Sequence, residues 1–330
     1  MSVDGVYLRT YLAPFAPWLE RSDVTDILVN QPGEVWFEAA GRGMQRADAP
    51  DITETMLRRL AQQIAAASNQ GLNREHPLLA ATLPGGARVQ IVGPPATRTH
   101  FALAIRKHVV NDLTLDDYAA EGAFAHTKRA DDVGADPLDL DLVRALERGD
   151  HAGFFRKAVR GGKNIVISGG TATGKTTFLN ALLKEIPQTD RVLVIEDTPE
   201  VNLQRPNAVG FIAVKGDLGE ARIGVVELLE ASLRMRPDRL LVGELRGAEA
   251  FTYLRAVNTG HPGSLTTVHA DSPRGALDQI AFMTLQAGLT LTRDDIVTYA
   301  KSVIDVIVQL ARVNGRRVIS EIDFRPRGGR

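Results

Sequence analysis

A glycine-rich stretch in the middle of the chain, residues 168–177 with the sequence SGGTATGKTT, has the residue types needed to bind a nucleoside triphosphate. It fits the pattern G-x-x-x-x-G-K-[ST], whose glycines let the backbone turn tightly and aim successive N–H groups at an anion. Lys175 can reach the β- and γ-phosphates, and the Thr176 hydroxyl can ligate Mg²⁺. The stretch therefore predicts a phosphate-binding loop with these nucleotide-binding residues: Gly169, Gly170, Thr171, Ala172, Thr173, Gly174, Lys175, Thr176 and Thr177.

Acidic residues follow two further apolar runs. Glu196 and Asp197 come directly after one run, and Glu244 follows the other, which reads as a Walker B segment. In an open parallel sheet the carboxyl ends of the strands meet at one edge, where ligands bind. One carboxylate can hold Mg²⁺, directly or through water, and another can polarise the attacking water. The sequence therefore predicts Thr176, Glu244 and Asp197 as metal-binding residues. It leaves Glu196 and Glu244 as candidates for the general base, with Glu196 favoured.

Two histidines flank a predicted strand at residues 264–268. His261 lies in a Gly/Pro-rich loop before the strand, and His269 lies at its end. A single histidine is more often structural, but this placement predicts that both sense the γ-phosphate. Arginines lie on both sides of the Walker B segment, and Arg246 is one of them. They are either ordinary surface residues or contacts to a bound nucleotide. The predicted catalytic set is Lys175, Glu196, Glu244, His261 and His269.

The elements around these residues predict an α/β fold. A β-branched run at 163–168 precedes the loop, and a helical stretch at 177–185, stopped by Pro187, follows it. Strands and helices alternate over residues 137–330, which is typical of a parallel sheet with helices on both faces. Asn-Gly at 314–315, between two alternating runs, predicts a hairpin near the end of the chain.

The first part of the chain predicts a smaller α+β domain at residues 1–108. Pro32-Gly33 between two apolar runs suits a hairpin turn, and Asp51–Glu54 resembles a capping box with Asp51 as the helix cap. Residues 109–136 are rich in Ala, Gly, Asp and Lys without a clear period, so they predict a linker. The second domain is then expected over residues 137–330.

Composition excludes several classes of site. The chain has 330 residues, no cysteine and a formal net charge of −1. This length favours two domains, and the absence of cysteine rules out disulfides and thiolate zinc sites. The near-neutral charge gives no field that favours stable nucleic-acid binding. There is no signal-peptide pattern and no apolar run of about 20 residues, so we expect no transmembrane segment.

In order and spacing, these motifs resemble those of the secretion ATPases of the traffic-ATPase superfamily, the PulE/GspE group. The motifs that carry the resemblance are 169–177, the Asp box at 195–200, 236–247 around Walker B, and the His box at 259–270. The first part of the chain matches as well, in the stretches 26–38, 77–95 and 105–107. Over nearly its whole length the sequence is similar to the VirB-eleven-type ATPases of bacterial type IV secretion and conjugation.

The resemblance implies a RecA-like P-loop ATPase domain, preceded by the smaller α+β domain, in a hexameric ring. It implies that ATP lies between the two domains with Mg²⁺, and that Arg88 and Arg106, by position, approach its phosphates from the N-terminal domain. It further implies a cytoplasmic protein peripheral to the inner membrane, with a coupling protein and a second secretion ATPase as partners. The expected function is ATP hydrolysis that powers substrate transfer, pilus biogenesis or conjugative DNA transfer. Ala172 stands where relatives often carry Gly or Ser, but this position of the motif is variable and binding is expected to persist.

Other functions remain open at this stage. A type II secretion, type IV pilus or tight-adherence assembly ATPase is disfavoured because many type II members carry a four-cysteine zinc insertion and tight-adherence members usually have long N-terminal extensions. A DNA-stimulated nucleic-acid-binding ATPase is disfavoured by the near-neutral charge. A GTPase is disfavoured because no Asn-Lys-x-Asp motif is present. A scaffold that binds ATP without hydrolysing it is a further alternative.

Overall fold

The computed structural model describes residues 3–108, 114–125, 127, 136–214 and 219–326. It contains one sheet within residues 24–106 and a second sheet within residues 165–324. We call residues 3–108 the N-terminal lobe and residues 136–326 the C-terminal lobe. Sheets combined with helices make this a mixed α/β protein, so the predicted fold class is confirmed.

The N-terminal lobe is built on an antiparallel sheet. Its strands are β1 Val24–Val29, β2 Gly33–Ala39, β3 Gly43–Ala49, β4 Leu78–Thr82, β5 Arg88–Val92 and β6 Ala102–Arg106. They lie in the order β3-β2-β1-β6-β5-β4. The predicted hairpin at Pro32-Gly33 is confirmed by the pairing of β1 with β2, and Gly33 has a φ of +86°, which glycine adopts without strain.

Three helices accompany this sheet, namely α1 Val3–Leu12, α2 Ala16–Leu19 and α3 Glu54–Ala67. A 3₁₀ turn at Ala13–Phe15 separates α1 from α2. The cap of α3 is Thr53, whose hydroxyl accepts a hydrogen bond from the Met56 N–H, so the prediction of Asp51 as the cap was wrong. The helices cover one face of the sheet, and the other face packs against the C-terminal lobe.

The C-terminal lobe is built on a second sheet. Its strands are β7 Ile165–Gly169, β8 Val192–Glu196, β9 Ala208–Ile212, β10 Arg239–Val242, β11 Leu265–Val268, β12 Val306–Val313 and β13 Arg316–Phe324. They lie in the order β13-β12-β7-β11-β10-β8-β9, and every neighbouring pair is parallel except β12 with β13. The carboxyl ends of β7, β8, β10 and β11 therefore meet at one edge of the sheet, as the sequence predicted.

Helices lie on both faces of the second sheet. They are α5 Pro137–Glu147, α6 His151–Arg160, α7 Lys175–Leu183, α8 Val225–Leu233, α9 Glu249–Asn258, α10 Pro273–Leu285 and α11 Arg293–Val303. Alternate side chains of β7 show the two layers: Ile165 and Ile167 are buried with α5–α7, whereas Val166 is buried with α8–α11. None of the helices in the described ranges is long and apolar enough to cross a membrane.

The C-terminal hairpin is also confirmed. Asn314 and Gly315 have φ angles of +51° and +79°, and Val313 pairs with Arg316 across the turn. Within the predicted linker, Thr114 caps a short helix, α4 Leu115–Ala120. Most of the remaining linker lies outside the described residues. The division into two domains at 109–136 therefore stays a prediction.

Candidate nucleotide-binding site

The phosphate loop, residues 169–174, joins the end of β7 to the start of α7. Gly174 precedes the helix with a φ of +98°, a left-handed conformation that suits glycine. Gly174 at the N-cap has no side chain that could bond the N-terminal N–H groups of α7, so it leaves them available to phosphate oxygens. The strand, loop and helix predicted from the sequence are present in the order that the motif requires.

Ala172 occupies the strained part of this loop. Its φ is +61°, in the left-handed region that costs a residue with a Cβ about 1–2 kcal/mol. Replacing Ala172 with glycine is expected to raise the free energy of unfolding by about 1 kcal/mol, measured by urea denaturation followed by circular dichroism. The matched control is Ala181→Gly at an exposed position of α7, which should lower it by about 1 kcal/mol. A decrease of equal size in both variants would contradict a strained loop.

Lys175 lies over the loop with its amino group directed at carbonyl oxygens. Its Nζ donates to the carbonyl oxygens of Gly169 at 2.9 Å and Gly170 at 3.3 Å. The same atom lies 3.1 Å from Nε2 of His269 and 3.9 Å from Oε1 of Glu244. Burial lowers the pKa of Lys175, while the nearby Glu244 carboxylate counteracts this effect. A bound phosphate group would add negative charge next to the Lys175 ammonium and favour its charged form.

Thr176 pairs with a carboxylate that our sequence-based site did not include. Its hydroxyl donates to Oε2 of Glu200 at 2.9 Å. The backbone oxygen of Glu200 accepts a hydrogen bond from the Asn180 side chain on α7, which ties the 197–201 segment to the helix. Glu200 closes the acidic cluster that starts at Glu196, and that cluster was the signal that could have identified it.

Glu244 follows β10 and lies between a histidine and an arginine. Its Oε1 is 3.0 Å from Nε2 of His269, and its Oε2 accepts a hydrogen bond from Nε of Arg246 at 2.5 Å. Arg246 also donates to Oδ2 of Asp197 at 3.0 Å. The hydrogen bond to Glu244 raises the pKa of Arg246. Arg246 therefore holds two of the predicted acidic residues at the same edge of the sheet.

Glu196 has a different environment from Glu244. Its side chain is only 4% exposed and forms an ion pair with Arg98 of the N-terminal lobe. Its other carboxylate oxygen, Oε1, accepts hydrogen bonds from the backbone N–H groups of Glu200 at 3.0 Å and Val201 at 2.8 Å. Both oxygens of Glu196 are thus engaged, one with Arg98 and the other with the 197–201 segment.

These groups surround one cavity of about 410 Å³ at the carboxyl edge of the second sheet. Its described lining comes from the C-terminal lobe: the phosphate loop, the 195–201 segment, the ends of β10 and β11, and Arg317 of β13. The Arg317 side chain packs beside Gly174 and adds a positive charge that the sequence analysis did not single out. A hairpin strand remote in sequence carries it, so no local signal was available.

The residues present fit a magnesium ion that arrives with its nucleotide. The Thr176 hydroxyl lies beside the Glu200 carboxylate, and Oε1 of Glu244 is buried without a hydrogen-bond partner of suitable geometry among the described residues. In the described part of the chain, no cluster of three or more His, Cys, Asp or Glu side chains could hold a metal by itself. Mg²⁺ at phosphate-transfer sites is usually held by one or two carboxylates and substrate phosphates, which matches this sparse donor set.

Comparison with known proteins finds similarity to components of secretion systems. Residues 136–321 match the family model described as "Type II/IV secretion system protein". The type IV secretion system protein VirB11 of Bartonella henselae is 39% identical over 333 residues, covering 96% of this chain and 92% of that protein. That of Brucella suis is 36% identical over 327 residues, covering 96% and 90%. The crystal structure of the Brucella suis VirB11 ATPase in complex with sulphate superimposes with a TM-score of 0.90 at 35% identity, over 98% of both chains.

The chain belongs to the VirB11 family of type IV secretion ATPases. Membership confirms the resemblance seen in the sequence motifs and the expectation of an ATP-hydrolysing enzyme of type IV secretion. The agreement extends over the N-terminal lobe as well as the ATPase lobe, because the relatives align over almost the whole chain.

Apart from residues of the phosphate loop itself, three residues predicted for the VirB11-family site do not line the cavity at that loop. Arg88 on β5 and Arg106 on β6 are opposite each other in the backbone register of the N-terminal sheet. Nε of Arg106 donates to Oδ1 of Asp26 at 2.9 Å. His261 precedes β11, so it lies at the opposite end of that strand from His269, with its Nδ1 2.9 Å from the carbonyl oxygen of Ala256. None of the three lines the phosphate-loop cavity.

The direction of β11 explains why His261 and His269 lie at different edges of the sheet. The two histidines are separated by one short strand, and a strand carries its two ends to opposite edges of the sheet. His261 instead shares a second cavity, of about 480 Å³, with Arg106 and Arg236 between the lobes. The structure thus brings His269 to the phosphate-loop cavity and His261 to the other cavity, and the prediction that both histidines sense the γ-phosphate stays a prediction.

Proposed function

We propose that this chain hydrolyses Mg·ATP at its phosphate loop as one subunit of a hexameric ring that drives type IV secretion. The observation that carries the proposal is the convergence of Lys175, Thr176, Glu244 and His269 on one cavity beside an open helix N-terminus. ATP turnover by the purified chain, and its loss when Lys175 is replaced, tests the hydrolysis.

Each group around the cavity has a distinct role in this proposal. Lys175 exchanges the carbonyl oxygens of the loop for the β- and γ-phosphates, which neutralise its charge. Thr176 and, directly or through water, Asp197 would hold Mg²⁺, which would offset charge on the phosphate oxygens. His269 lies 3.1 Å from the Lys175 amino group and is placed to respond to the γ-phosphate. Arg246 orients the two carboxylates that it binds.

We assign the general base to Glu244 rather than to Glu196. A base must have a lone pair directed at the attacking water. The buried Oε1 of Glu244 lies 3.0 Å from Nε2 of His269 but accepts no hydrogen bond of suitable geometry from the described residues. Both oxygens of Glu196 already accept hydrogen bonds or an ion pair, and one partner is an arginine. This reverses the preference for Glu196 that the sequence alone suggested.

The ring assembly accounts for Arg88 and Arg106. Both lie on adjacent strands of the N-terminal sheet, away from the cavity of their own chain. We assign them to the phosphates of a nucleotide held by a neighbouring subunit, so that each site is shared between two chains. Closure between the two lobes would then couple ATP hydrolysis to movement of the ring.

A mixing experiment tests the shared site. Lys175→Ala and Arg106→Ala variants are each expected to be nearly inactive, but a 1:1 mixture in a ring should recover roughly a quarter of wild-type turnover. The recovery arises because some interfaces combine an intact loop with an intact arginine. Native mass measurement with and without Mg·ATP checks that rings form. No recovery in mixed rings, or a monomer under all nucleotide conditions, would contradict this assembly.

The cellular setting follows from the family. We place the ring at the cytoplasmic face of the inner membrane, as a peripheral protein working with a coupling protein and a second secretion ATPase. Support comes from relatives that are components of type IV secretion systems. The transported substrate would be protein or DNA, in secretion, pilus biogenesis or conjugation.

A further inference from the structure

The loop between β5 and β6 adds a short strand to the edge of the ATPase sheet. Thr97 forms an antiparallel bridge with Phe211 of β9. The Arg98 N–H donates to the carbonyl oxygen of Gly210 at 3.1 Å, and the Ile212 N–H donates to that of Ala96 at 2.9 Å. The N-terminal lobe is thus joined by backbone hydrogen bonds to the edge strand beside β8, the strand that ends at Glu196.

This strand addition delivers Arg98 to a buried carboxylate. The guanidinium of Arg98 is ion-paired with Glu196, and the two side chains are 22% and 4% exposed. Gly210 makes room for it, because a Cβ at that position would lie 2.4 Å from Nε of Arg98. A buried carboxylate whose arginine is removed is left with an uncompensated charge, which is strongly destabilising for the local structure.

A chain of contacts leads from Arg98 to the metal site. Glu196 binds Arg98 with one oxygen and the backbone N–H groups of Glu200 and Val201 with the other. The Glu200 carboxylate in turn accepts the hydrogen bond from the Thr176 hydroxyl. Each link is a direct hydrogen bond or ion pair, so the position of the N-terminal lobe bears on the position of Glu200.

We propose that Arg98 is a positioning residue for Mg·ATP: it fixes Glu196, which holds the 197–201 segment so that Glu200 and Thr176 meet at the metal site. The proposal rests on the proposed role of Thr176 in holding Mg²⁺. It gives the N-terminal lobe a way to alter the metal site of its own chain. Neither Arg98 nor Glu200 needs to touch the reacting atoms for this effect.

The first readout needs neither metal nor activity. In nucleotide-free Arg98→Gln, the amide hydrogens of Glu200 and Val201 are expected to exchange about tenfold faster, because the carboxylate that accepts them is no longer held. The matched control is Arg74→Gln. Arg74 also forms an ion pair with the C-terminal lobe, through Glu220. The two side chains are 62% and 53% exposed, and neither lines the phosphate-loop cavity. Unchanged exchange in Arg98→Gln, or the same increase in Arg74→Gln, would overturn the proposal.

The second readout separates metal from nucleotide. Arg98→Gln should raise the Mg²⁺ concentration for half-maximal ATPase activity roughly tenfold, while the affinity for a fluorescent ATP analogue in EDTA stays unchanged. The Arg98→Gln, Glu196→Gln double variant should recover part of the Mg²⁺ response, since an amide pair leaves no buried charge unpaired. Arg98→Lys, which keeps the charge, should lie between wild type and Arg98→Gln and covers the case in which Arg98→Gln does not fold.

These outcomes distinguish the two proposals. Wild-type protein without Mg²⁺-dependent turnover would contradict the proposed function itself. Normal wild-type turnover with an unshifted Mg²⁺ response in both Arg98 variants would contradict only the role of Arg98. A loss of nucleotide affinity in EDTA equal to the loss with Mg²⁺ would show a general structural effect and would also overturn that role.

Discussion

Replacing Lys175 with alanine is expected to lower ATP turnover by at least about a hundredfold. The amino group of Lys175 lies 2.9 Å from the carbonyl oxygen of Gly169 in the phosphate loop. In the transition state negative charge spreads over the transferring phosphoryl group, and a preorganised ammonium stabilises that charge most where water is excluded. Phosphate release by the purified protein measures the effect.

The matched control is Lys184→Ala. Lys184 follows α7 directly and is exposed, so its removal changes the net charge equally without touching the cavity. Turnover of this variant should stay within about twofold of wild type because isolated surface charges contribute little. Unchanged turnover in Lys175→Ala would contradict the whole site.

Glu244→Gln is expected to lower kcat by about 10²–10⁴-fold while ATP still binds. The amide is nearly isosteric with the carboxylate, so Arg246 and His269 keep a neighbour of similar shape. The substitution removes the negative oxygen that would accept the proton of the attacking water. Single-turnover hydrolysis, measured beside equilibrium binding of ATP, separates the chemical step from binding.

Glu196→Gln provides the discriminating comparison. Glu196 holds backbone N–H groups and Arg98, so its substitution is expected to act on the Mg²⁺ response more than on kcat at saturating Mg²⁺. If Glu196→Gln lost the larger share of kcat and Glu244→Gln retained near-normal turnover, the assignment of the base would be reversed.

Local features of the chain were predicted well from the sequence. The phosphate loop, the strand before it, the helix after it and the hairpins at Pro32-Gly33 and Asn314-Gly315 all form as expected. Each depends on residues close together in sequence: glycine at positive φ, an alternating apolar pattern, or a stop at proline. Where local signals competed, as between Asp51 and Thr53 for the cap of α3, the sequence-based choice was wrong.

Pairings across the sheet were harder to predict. Edge strand β9 and strands β3 and β4 were absent from the expected elements, since their short runs lack a strong pattern. Arg317 enters the cavity from β13 and Arg98 reaches Glu196 from the other lobe, over separations in sequence that no motif spans. Glu200 was in reach of sequence reasoning, because it ends the acidic cluster, but its hydrogen bond to Thr176 was not.

The sequence by itself determined that this chain has a phosphate loop, acidic residues after neighbouring parallel strands, and the motif order of a VirB11-family ATPase. These are properties of short segments, and backbone geometry within a segment follows from its own residues. Only the tertiary structure decided that Glu196 has both carboxylate oxygens engaged, that one oxygen of Glu244 accepts no hydrogen bond from the described residues, and that His269 lines the phosphate-loop cavity. Those outcomes depend on strand direction, on sheet order and on contacts between lobes, which arise when distant segments bury their apolar faces together.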